Sequence, residues 1–298
     1  MRRRFPAAGG VPHGPEGNRP APMRLMLGAT RNLLFNLVRR DLTVRYKSTV
    51  LGFFWSFIKP LVLTAIFYVA FQIILTVPRE SDVPFALKLL TGILAWTFTA
   101  GATGEAMNVI MANANLIKKV RLPLAVFPLA AVCSHLIHFI LALFVLVALA
   151  IVFHLPPAPA IVFFPLIMAL QFLLTLAVAL TLAALNVFYR DVGSLWEVLT
   201  TAWFYATPIV YPFSLFINAM EPKGLGWIKW LYLANPMTPI VLGYQRVLLY
   251  AAAGKDLPKL PDAQLLGALG LSLCVTLALF ALSCKVFSRY SKSFADEL

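Results

Sequence analysis

From Leu122 to Tyr189 the chain runs for 68 residues without a single Asp, Glu, Lys or Arg. A bilayer demands such a stretch, because a helix needs about 20 apolar residues to cross the hydrocarbon core. The run is therefore two crossings. The turn between them falls at His154-Leu155-Pro156-Pro157-Ala158-Pro159, since clustered prolines cannot continue a helix. Composition agrees: 60% of the 298 residues are hydrophobic and 12% are charged, against roughly a quarter charged in a soluble domain. These values exclude a disordered chain, a collagen-like chain and a disulfide-stapled secreted domain. Cys133, Cys274 and Cys284 sit in apolar runs and read as small buried hydrophobes.

Further uncharged runs cover 60–78, 198–220 and 263–284, and 89–117 is interrupted only by Glu105. The expected fold is an all-α integral membrane protein with six transmembrane helices, at about 57–77, 88–110, 123–153, 161–187, 196–213 and 263–285. The stretch 214–250 is apolar but broken by Asn235-Pro236 and Pro239, and it carries Arg246. Broken helices at membrane depth need protein or a water-filled cavity around them, so it reads as a re-entrant or surface-lying helical pair before the last span. With the N-terminus inside, the inner segments carry 17 Lys/Arg and the outer ones 7, which sets both termini on the cytoplasmic side. The net charge of +13 belongs to that bias and not to nucleic acid. Residues 1–29 are a Pro/Gly-rich tail, expected to be disordered and lacking the apolar core of a signal peptide. Residues 30–298 form the membrane domain.

Residues 30–47 carry Asn32, Asn36, Arg39, Arg40, Thr43 and Lys47 on one helical arc, with Leu33, Leu34, Leu37, Val38 and Leu42 elsewhere. This pattern predicts an amphipathic helix at the membrane surface. Within it, Asp41 and Arg45 are four apart and spaced to pair.

Five ordered motifs extend the reading. They are Arg40-Asp41-Leu42-Thr43-Val44-Arg45-Tyr46-Lys47 through Trp55 and Lys59-Pro60-Leu61; Asn115 through Pro123; Asn186 through Val192; Pro208-Ile209-Val210-Tyr211-Pro212; and Asn235-Pro236-Met237-Thr238-Pro239 with Gly243 and Arg246. Together they resemble the ABC exporter permeases of the polysaccharide-export branch, which serve O-antigen, capsule and teichoic acid, and they cover about residues 30–290. The resemblance implies a homodimeric six-span permease with two copies of a separate ATPase, moving a lipid-linked glycan outward across the cytoplasmic membrane. The chain departs from the pattern at Leu124-Ala125, where the family often carries charge.

The chain has no Gly-x-x-x-x-Gly-Lys-[Ser/Thr] phosphate cradle, so ATP and its magnesium are expected on the partner and no cofactor on this chain. The partner needs grips on the inner side. The insert containing Asn115, Lys118, Lys119 and Arg121, and the tight turn at Arg190-Asp191, are the expected coupling elements. As plainer roles, the basic residues set orientation and Asp191 caps the next helix. Arg39, Arg40, Arg45, Lys47 and Lys59, near the inner leaflet, are candidates for a lipid diphosphate headgroup. Phe57, Tyr68, Phe71, Trp203, Tyr205 and Tyr211 offer flat ring faces along which a sugar chain slides. Glu105 is costly in lipid and is expected to be paired within protein. His135 and His138, three apart, read as packed helix-face residues and not as a metal site. The alternatives are an exporter of a drug or small lipid, or a membrane transferase. The latter lacks any Asp-x-Asp or paired-carboxylate constellation.

Overall fold

The computed structural model describes residues 23–46, 55–76, 83–118, 123–155, 159–213, 218, 220–249 and 262–297. Every regular element among them is helical. The main ones are α1 (Met23–Tyr46), α2 (Trp55–Tyr68, continued by a π-helical turn Val69–Ile74), α3 (Phe85–Ala112), α4 (Ala114–Ile117) and α5 (Val126–Val152). They are followed by α6 (Phe164–Phe188), α7 (Val192–Tyr205), α8 (Ile228–Ala234), α9 (Met237–Leu248), α10 (Asp262–Tyr290) and the short α11 (Phe294–Glu297).

Prolines mark several of the starts. Pro84 precedes α3 and Pro165 opens α6, positions where a missing N–H costs nothing. Inside α2, Thr64 Oγ1 donates to the carbonyl of Pro60, one turn earlier, at 2.7 Å. The most buried long helix is α3, with α2, α5, α6, α7 and α9 packed around it. The large apolar side chains of α2, α5, α6 and α10 that remain exposed, such as Ile66, Phe144, Leu166 and Leu266, are suited to lipid.

Five described helical segments are long and apolar enough to cross a membrane: Phe57–Ile74, Phe85–Ala112, Val126–Val152, Ile161–Phe188 and Ala263–Ser293. They match five of the six expected spans. The segment 196–213 does not form one continuous helix. Instead α7 stops at Tyr205, because Pro208 lacks the N–H a further turn needs and disfavours a helical Thr207. At 14 residues α7 is about 21 Å long, short of a hydrocarbon core of roughly 30 Å. The chain then turns inward, burying Ile209, Val210 and Phe213. Gly92 permits this approach: a Cβ there would lie 3.1 Å from Ile209.

Three further expectations change. The interface helix begins at Met23, not at residue 30, while residues 1–22 and Lys47 lie outside the described residues. Cys274 and Cys284 are exposed on α10 and not buried, and only Cys133 is partly enclosed. Lastly, α9 is buried along nearly its whole length against α3, α6 and α10, so it does not lie on a surface.

Candidate functional site

One end of the bundle gathers the C-termini of α3 and α6, the N-terminus of α5, α1 and the end of α10. Its floor is a hydrophobic cluster distinct from the main core. Leu37 of α1, Ile110 of α3, Ile117 of α4, Phe127 of α5, Ala184 of α6, Phe287 of α10 and Phe294 of α11 all bury there. The amphipathic pattern of α1 explains its seat. Leu37 is buried and Leu33, Leu34 and Val38 pack beside it, while Asn32, Asn36, Arg39, Arg40 and Thr43 are exposed.

Polar ties fix the elements above that floor. Arg40 Nη1 donates to Asn113 Oδ1 at 2.9 Å, joining α1 to the end of α3. Asn113 Nδ2 in turn donates to the Val109 carbonyl at 2.7 Å. Across the bundle, Asn186 Nδ2 donates to the Met107 carbonyl at 3.1 Å and to Asn108 Oδ1 at 3.2 Å, joining the end of α6 to α3. The chain continues through a 3-10 turn at Ser291–Ser293 and sets Phe294, fully buried, 5.9 Å from the Phe188 ring.

This scaffold carries the expected coupling residues outward. Asn115 is exposed on α4 and Lys118 at its C-cap, and Arg190 and Asp191 are exposed in the α6–α7 turn. No side-chain hydrogen bond from Asp191 caps α7, so the plainer capping role is not seen. Lys119 and Arg121 lie outside the described residues.

Higher on α3, Glu105 lies seven residues, about 10 Å of helical rise, from the helix end. Arg45 of α1 pairs with its Oε2, and His135 Nε2 of α5 lies 2.9 Å from the same oxygen. Arg45 Nη2 and His135 Nε2 are 3.1 Å apart. A glycine makes room for this: a Cβ at Gly101, one turn along α3, would meet His135 Cε1 at 2.7 Å. The expected Asp41–Arg45 pair therefore does not form. Asp41 instead takes Arg40, at 2.9 Å, and Arg45 is drawn to the deeper carboxylate.

Beside this triad lies a cleft of 160 Å³, lined by Arg45, Lys59, Leu94, Phe98, His135 and His138 among others. Of the headgroup candidates, the structure brings Arg45 and Lys59 together. Arg39 is exposed on α1, and Arg40 is occupied by Asn113 and Asp41. The two histidines, read from sequence as packing residues, line the cleft. The retrievable signal was Glu105, the sole charge in 89–117, with Gly101 one turn away. Among the described residues no group of three His, Cys, Asp or Glu is placed to hold a metal.

Level with the middle of α3, Asn235, in the break between α8 and α9, accepts a hydrogen bond from Trp203 Nε1 at 2.8 Å and from the Met237 N–H at 3.1 Å. Its amide donates to Thr207 Oγ1 at 3.0 Å and the Ala206 carbonyl at 3.2 Å. Ser272 Oγ of α10 donates to the Pro236 carbonyl at 2.9 Å. The ring of Trp203 also meets Trp96 edge-on at 5.5 Å. Phe57, Tyr68 and Phe71 are half-buried against the core. Tyr211 is half-buried and donates to the Tyr205 carbonyl at 2.8 Å. Tyr205 is 56% exposed.

A bundle whose described elements are all helical, with several lipid-suited helices tied by polar contacts, is a multi-pass membrane protein. The chain belongs to the ABC-2 type transporter family, whose model matches residues 32–249. It is similar to an O-antigen export system permease protein RfbA of Myxococcus xanthus, 30% identical over 268 residues, covering 90% of this chain and 96% of that protein. Two proteins of the same name from Klebsiella pneumoniae are 30% and 31% identical over 228 and 224 residues, covering 84% and 82% of their lengths.

Proposed function

We propose that the chain is the permease subunit of an ATP-driven exporter that moves lipid-linked polysaccharide, of the O-antigen type, outward across the cytoplasmic membrane. The single observation that carries this is near full-length similarity to permeases named for O-antigen export. The permease works as a homodimer with two copies of a separate ATPase that binds ATP and magnesium. The exposed Asn115, Lys118, Arg190 and Asp191, with Lys119 and Arg121, take the ATPase's push. Buried ties at Asn113 and Asn186 support that reading, because they transmit load from these positions into α3.

A second copy covers α7, which has no fully buried residue and leaves Leu195, Val198 and Leu199 exposed. A 310 Å³ apolar groove between α6, α7 and α10 supports the same placement. The sixth crossing is α7 together with the segment after it, and α8–α9 is a re-entrant pair whose vertex is Asn235-Pro236. Supporting this, Asn235 reaches Thr207 while Gln245, further along α9, donates to the carbonyl of Lys88 near the opposite end of α3. Tyr205 and Tyr211 face the sugar path with Phe57, Tyr68, Phe71 and Trp203 behind them. Arg45 and Lys59 hold the lipid diphosphate at the cleft, with Arg39, Arg40 and Lys47 guiding its approach. Both termini are cytoplasmic, from the distribution of basic residues.

The test is reconstitution with the cognate ATPase. The complex is expected to hydrolyse ATP, and Arg190→Ala with Asp191→Ala to assemble normally yet lose hydrolysis coupled to transport. Full coupling in that double variant removes the assignment.

A further inference from the structure

We infer that Glu105 is a built-in stand-in for the phosphate of the cargo, and that displacing it from Arg45 is the signal by which a loaded cleft informs the coupling end. This rests on the reading of the cleft as a diphosphate site.

Arg45 and His135 lie between two anion positions. On one side is the Glu105 carboxylate, held by both. On the other is the cleft they line together with Lys59 and His138. Only the Nη2 nitrogen of Arg45 is engaged among the described contacts; Nε and Nη1 have no partner among the described residues. A guanidinium presents five donors in a fork matched to carboxylate or phosphate. Among the described residues, Arg45 and Lys59 bring formal positive charge to the cleft, the Glu105 carboxylate pairs with Arg45, and Asp41 is held by Arg40. An entering diphosphate competes with Glu105 for Arg45 and carries more charge, and Lys59 favours the newcomer only.

The consequence travels along α1. Arg45 ties the end of α1 to α3 and α5. Five residues earlier on the same helix, Arg40 ties it to Asn113, the residue whose carbonyl accepts the Leu116 and Ile117 amides of α4 at 3.0 and 3.1 Å. Asn115 rides on that short helix and Lys118 at its C-cap. The empty and loaded cleft thus place different demands on one rigid element, which is what coupling between two sites requires. The role of Glu105 is positional: it never touches sugar, and it sets the threshold at which the cargo takes Arg45.

The experiment uses the permease–ATPase complex in nanodiscs, with a polyisoprenyl diphosphate as probe. Probe-stimulated ATP hydrolysis and probe binding are both measured. Glu105→Gln is expected to lower the half-saturating probe concentration by about fivefold or more and to raise hydrolysis without probe toward the stimulated level. Glu105→Asp is expected to restore wild-type behaviour. In unmodified protein, bound probe is expected to increase hydrogen exchange over the last two turns of α1, a readout that needs no variant. Should Arg45→Ala weaken binding while Glu105→Gln alters neither binding nor basal hydrolysis, or α1 exchange stay constant, the switch is wrong and the cleft stands. Should Arg45→Ala and Lys59→Ala both bind probe like wild type, the cleft reading itself is wrong.

Discussion

Asn235 gives the sharpest quantitative test of the fold. Its side chain makes four hydrogen bonds, accepting from Trp203 Nε1 and Met237 N and donating to Thr207 Oγ1 and the Ala206 carbonyl. These bonds pin the α8–α9 break to the end of α7. In Asn235→Ala, the Trp203 indole and the Met237 amide lose their acceptor. A stranded donor costs about 1–3 kcal/mol when buried. Both hydrogen bonds are part-buried, so the expected loss is about 2–4 kcal/mol in total. Trp203→Phe removes the indole donor alone and costs about 1 kcal/mol beyond its packing loss. The two changes share a bond, so they are not additive. Interhelical hydrogen bonds in membrane proteins couple by about 0.6 kcal/mol on average and at most about 1.7 kcal/mol. A double-mutant cycle is expected to return about 1 kcal/mol, measured by loss of helicity as denaturing detergent is titrated into micelles. A coupling energy indistinguishable from zero refutes the assignment of Asn235 as the pin.

Three other outcomes follow from elsewhere in the bundle. Asn186→Ala unties α6 from α3 and is expected to cost about 1–2 kcal/mol and to reduce transport-coupled ATP hydrolysis, whereas a merely local role leaves hydrolysis intact. Phe294→Ala empties a fully buried site beneath Phe188 and is expected to cost about 3 kcal/mol or more in the same denaturation assay. Gly101→Ala puts a methyl 2.7 Å from His135 Cε1, so the ring must shift. The expected cost is about 1–3 kcal/mol, with weakened probe binding at the cleft, and replacing His135 by Ala in that background is expected to recover the stability.

Much of the bundle was legible because lipid imposes a simple rule: long uncharged runs become long helices. The spans at α3, α5, α6 and α10 follow from that rule, and the polar arc of α1 announced which face it turns to the bundle. The rule fails at 196–213, where hydropathy is continuous but Pro208 is not compatible with continued helix. Spacing alone also misplaced the partner of Asp41, which pairs with Arg40. Spacing along α1 suggested an Asp41–Arg45 pair, yet a three-dimensional partner, Glu105, is 60 residues away in sequence. Local periodicity carries no information about such pairings. The same holds for His135, whose neighbour Gly101 lies on another helix.

The most direct measurement is ATP-driven movement of a defined lipid-linked glycan into inside-out vesicles containing this chain. Uptake is expected only when the cognate ATPase and hydrolysable ATP are both present, and to vanish when either is withheld. Uptake by this chain without the ATPase, or none with the complete complex, contradicts the account.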